Sequence, residues 1–133
     1  MDFRFKSGEL RTVICKKASS TVIEAGDLVA LSSGLIIKAV AGSAAIAYAP
    51  NGAGNGETEI EVSVGNDFTL VGTAGANFAV TDKGAEVDIK GTTDLLIDLG
   101  ESTTDVLKVG IDQDSGVAGS AANVEVRINK PLF

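Results

Sequence analysis

The stretch Thr21 to Val40, TVIEAGDLVALSSGLIIKAV, leaves this chain little choice of secondary structure. Three short apolar or β-branched runs, Thr21 to Glu24, Leu28 to Leu31 and Leu35 to Val40, are separated by Ala25-Gly26-Asp27 and Ser32-Ser33-Gly34. Gly26 and Gly34 accept the positive φ of a tight connection, and Asp27 and Ser33 can bond back to nearby main chain. The pattern predicts strand, turn, strand, turn, strand.

The same grammar continues in both directions. Arg11 to Ala18 reads as a strand with Val13 and Cys15 on one face and Thr12, Ile14 and Lys16 on the other. Ala44 to Ala49 is too short for a stable helix between Gly42-Ser43 and Pro50-Asn51-Gly52, and is predicted as strand. Thr58 to Val64 alternates cleanly, with Ile60, Val62 and Val64 inward and Glu59, Glu61 and Ser63 outward. Gly65-Asn66-Asp67 then predicts a hairpin to a partner strand, Phe68 to Val71. Ala79 to Thr81, Ala85 to Ile89, Leu95 to Leu99 and Asn123 to Asn129 complete the set. Ser102 and Asp105 have capping-box spacing, but the residues that follow, VLKVGI, suit a strand better. About ten short strands with regular turn signals predict an all-β fold, a compact barrel or sandwich. The 133 residues suffice for one domain, so the expected organisation is an extended N-terminal arm, 1–12, followed by a single β domain, 13–133.

Charge is also unevenly placed along the chain. Residues 1–20 carry a net +3 and the remainder −10, giving −7 in all. An acidic exterior repels a phosphate backbone, so a nucleic-acid partner is not expected. No apolar run has membrane-spanning length. The single cysteine, Cys15, reads as a small inward apolar residue, and no disulfide is expected.

Catalytic chemistry has few places to reside. Histidine is absent, which removes the commonest general base and metal ligand. Glu57, Glu59 and Glu61, and likewise Glu86 with Asp88, share strand faces in the manner of solubilising edge charges, and the chain is not expected to be an enzyme. Gly52, Gly54 and Gly56 lack the lysine and helix of a phosphate-binding loop. Asp112 to Gly116 begins like a calcium loop, then places Val117 and Asn123 where glycine and a bidentate glutamate are required; a turn is expected, with no metal or other cofactor.

What stands out is a β-rich body with apolar-basic ends. Phe3 and Phe5, between Arg4 and Lys6, either tuck onto the body or stand ready as anchors for a partner. Ala25 to Leu31 (AGDLVAL), Ser33 to Ala39 (SGLIIKA), Phe68 to Val80 (FTLVGTAGANFAV) and Val124 to Phe133 (VEVRINKPLF) resemble the decoration, or cement, proteins of tailed-bacteriophage capsids. That resemblance implies a cofactor-free structural protein, made in the host bacterial cytoplasm and bound to the virion exterior. It also implies homotrimers clamping neighbouring major capsid proteins. On this reading residues 1–12 are the main shell contact, through Phe3, Arg4, Phe5, Lys6 and Arg11, with Lys130 to Phe133, chiefly Lys130 and Phe133, as the second. The alternative is a tail or fibre component or an adhesin-like module, with the glycine-rich loops 50–57 and 72–77 as glycan-binding tips.

Overall fold

The structure, a computed structural model, describes residues 2–133. It is all-β, as predicted: β1 (Phe3–Gly8), β2 (Arg11–Lys16), β3 (Asp27–Ser32), β4 (Leu35–Lys38), β5 (Ala47–Ala49), β6 (Glu59–Val64), β7 (Phe68–Gly72), β8 (Glu86–Lys90), β9 (Leu96–Asp98), β10 (Leu107–Val109) and β11 (Val124–Ile128). A six-stranded sheet has the order β1-β7-β11-β10-β8-β9, a three-stranded sheet β4-β3-β5, and a two-stranded sheet β2-β6. Neighbouring strands run antiparallel, and the sheets do not close into a barrel.

The three-stranded sheet comes from the stretch that most constrained the prediction, together with β5, and it separates two cores. Successive strand residues point to opposite faces. Leu28, Ala30 and Tyr48 therefore join a large core with Phe68, Leu70, Val87, Ile97, Leu107, Val124, Val126 and Ile128. Val29, Ile36, Ala47 and Ala49 join a smaller one with Ile60 and Val62. A strand buried on both faces reads as a continuous apolar run, which is why Leu28-Val29-Ala30 shows no polar alternation, while Leu31 beyond it is exposed.

Four expectations change. The N-terminal segment is extended but paired: β1 is an edge strand, in register with β7 from Phe3 opposite Gly72 to Gly8 opposite Phe68, with an irregularity between Phe5 and Ser7. The predicted hairpin of β6 and β7 does not form. Alternation identifies inward residues without saying which core they enter; β6 serves the smaller core and β7 the larger, so Gly65-Asn66-Asp67 carries the chain between sheets. Thr21 to Glu24 contributes one bridge, Ile23 to Ala53, because the turn that follows ties Glu24 N–H to the Asp27 carboxylate and Asp27 N–H to the Glu24 carbonyl. The predicted strand Ala79 to Thr81 is replaced by a 3-10 turn, Val80–Asp82, closed by the Asp82 carboxylate accepting the Ala79 N–H at 2.8 Å.

Candidate functional site

The seven residues singled out from sequence fall into three places. Phe3 is 1% exposed and belongs to the large core. Its ring lies where a Cβ at Gly72 would stand, so the glycine in β7 is the cavity into which β1 plugs. Its N–H donates to the Gly26 carbonyl at 3.0 Å. Phe3 therefore offers no surface to a partner, whereas Phe5, two residues on, remains 39% exposed. Just before the strand, Asp2 lies 3.4 Å from Lys38 Nζ, which is also 3.5 Å from buried Asp27; burial raises the Asp27 carboxyl above its ordinary range.

Arg4 and Lys6 are directed to the strand next but one. The Arg4 guanidinium donates two hydrogen bonds of 3.3 Å to Asn123 Oδ1. Lys6 Nζ pairs with the carboxylate of Glu125, a buried residue of β11. That hydrogen bond raises the Lys6 amine above its usual value; burial opposes it, and the negative charges of Glu125, Asp112 and Asp114 reinforce it.

Arg11, by contrast, meets the other end of the chain. Its guanidinium passes beside Gly65, whose N–H donates to the Phe133 main-chain oxygen at 3.3 Å. The C-terminal residues are held there by a ladder along Ile46, whose N–H donates to the Lys130 carbonyl and whose carbonyl accepts the Leu132 N–H, each at 3.0 Å. Leu132 packs on the smaller core, while Lys130 and Phe133 remain exposed, the latter at 51%. Arg11 and Phe133, remote in sequence, thus share one surface with the Gly65-Asn66-Asp67 turn. The Arg11 side chain is ion-paired at Nε with the exposed Glu9 carboxylate, at 3.8 Å, and remains 61% exposed.

Other sequence candidates have structural work. Glu61 accepts hydrogen bonds from the Thr12 hydroxyl and the Asn51 amide, and Glu59 lies 3.7 Å from Lys16. Asp88 caps the turn at 103–105. Loop 50–57 is pinned at its middle by reciprocal main-chain bonds between Ile23 and Ala53, of 2.9 and 2.7 Å. Asp112 Oδ1 closes its own turn on Asp114 N–H and the Ser115 hydroxyl, and no group of three potential metal ligands occurs among the described residues. Burial raises the Cys15 thiol, as expected of a packed residue. Among the described residues no helix is long and apolar enough to cross a membrane.

A surface depression lies elsewhere, and sequence reasoning missed it. A groove of about 370 Å³ runs across the outer face of β7, β11 and β10, lined by Thr69, Lys108, Arg127, Ile111, Asp112 and Glu125 with adjoining main chain. In sequence, Lys108 and Arg127 are ordinary outward cations on separate strands; their adjacency arises only from the β10–β11 register.

No family model, curated protein or solved structure matches this chain.

Proposed function

We propose that the protein is a structural component of a tailed-phage virion that binds the outside of the capsid and clamps neighbouring major capsid proteins, as a trimer on the shell. The reading rests on the sequence resemblance, and the observation that favours it is the surface shared by Arg11 and Phe133. A cation and an exposed aromatic residue, their main chains held by hydrogen bonds rather than carried on free tails, combine the residue types that dominate protein interfaces. Shell carboxylates would meet Arg11, and Phe133 would supply the buried apolar area. Phe5 and Lys130 are further contacts, and Phe3 acts only by holding β1 in place.

Two measurements test it. The ratio of this protein to the major shell protein in purified virions is expected near one, or at a simple fraction set by symmetry; a few copies per particle would move it to the tail or fibre, and absence would overturn the virion reading. Arg11→Glu and Phe133→Ala should each weaken sedimentation with expanded shells by roughly tenfold or more while leaving the fold unchanged. Undiminished binding by both would remove this surface from the interface.

A further inference from the structure

We infer that the groove across β7, β11 and β10 is a docking site for an extended acidic and apolar segment of a partner protein, its carboxylate held by Lys108 and Arg127. The inference is independent of which particle or assembly the protein serves.

Lys108 and Arg127 are directly opposite one another in the β10–β11 pair. Like charges at that spacing, about 5 Å between Cα atoms, destabilise a sheet unless something neutralises them. Among the described residues neither side chain has a hydrogen bond or an ion pair, although the chain has 18 carboxylate residues against 11 cations. Glu86 lies on the other side of Lys108, in register on β8, and makes no ion pair with it. The two carboxylates of the groove are already engaged: Glu125 by Lys6, and Asp112 Oδ1 by its own turn. The arrangement therefore leaves two adjacent cations on one wall without an ion-pair partner, open to an external anion.

The rest of the groove selects the kind of anion. Ile111, 77% exposed, provides an apolar flank, and Thr69 supplies a hydroxyl. Gly110 keeps the main chain close against the Ser115 side chain, in space that a Cβ would fill, which holds the wall bearing Ile111 in position. A guanidinium and an ammonium side by side suit a carboxylate, bidentate on Arg127, and the apolar flank suits an aliphatic neighbour. A long polyanion is disfavoured by the net charge of −7. An extended segment in which Glu alternates with Leu presents both features at strand spacing.

The test uses the full-length protein, labelled for amide NMR, and the peptide acetyl-Leu-Glu-Leu-Glu-Leu-amide. Shifts are expected at Lys108, Val109, Gly110, Ile111 and Arg127, weakening as salt is raised. They should be lost with the peptide carrying Gln for Glu and with the Lys108→Gln/Arg127→Gln variant, whose exposed positions leave the fold intact. Arg127→Lys should retain part of the affinity, since it keeps the charge and loses the fork. No shifts, equal binding of the Gln peptide, or full binding by the double variant would overturn the inference. So would hexanoate binding as tightly as the peptide, because the site would then take a free small carboxylate rather than a protein segment.

Discussion

Asp88 illustrates how a carboxylate that looks like surface charge becomes structural. On β8 its side chain points away from the large core, yet it is buried, because the turn after β9 folds over it. Its oxygens accept N–H bonds from Thr103 at 3.1 Å and from Thr104 and Asp105 at 2.8 Å each. Burial alone would raise the carboxyl, but these bonds outweigh it and hold it below its ordinary range. Asp105 then takes a positive φ of 53°, off the helical path, so the capping-box spacing at Ser102 yields a turn. Asp88→Ala should lower the unfolding free energy by roughly 2 to 3 kcal/mol at neutral pH. Because the folded pKa is depressed, that contribution is complete above the unfolded value, about 3.9, and fades as pH falls through the folded one. The gap between the urea melts of the two forms should therefore narrow from pH 7 into acid, and a constant gap would refute the linkage.

At the scale of elements, β1 carries the largest difference between expectation and structure. Composition suggested a separate arm over residues 1–12, and alternation made the segment extended, as β1 is. What neither could register was that Gly72, some seventy residues away, leaves a hole shaped for Phe3. The same limit applied to β6 and β7: Ile60 and Val62 were legible as inward from period two, but Ser63, expected outward, is buried with its hydroxyl accepting the Tyr48 N–H, and the distribution of faces between two cores was not legible. Lys108 beside Arg127, and Arg11 beside Phe133, are products of register and chain crossing, so no local motif announces them. Phe3→Ala should cost about 3 to 5 kcal/mol in a denaturant melt, as for a core aromatic, whereas Phe5→Ala should cost much less. Equal, small effects would restore the free arm.

Across the whole molecule, the two cores share one sheet, so they should fail together. The chain contains natural probes for each: its single tyrosine, Tyr48, lines the larger core, and its single cysteine, Cys15, packs on the smaller. Tyrosine fluorescence and thiol accessibility should follow one coincident urea transition. Separate midpoints would mean that the β2-β6 sheet opens alone.

The middle sheet has a further consequence, for divergence over generations. A substitution on β3 or β5 is felt in one core directly and in the other through the strand it moves, so few replacements there are tolerated. At Ile14 on β2, which is 72% exposed, drift is nearly free. The segment AGDLVAL should thus be the slowest-changing signature of the chain, the place where distant descendants of a common ancestor would still spell alike after their outer strands had ceased to.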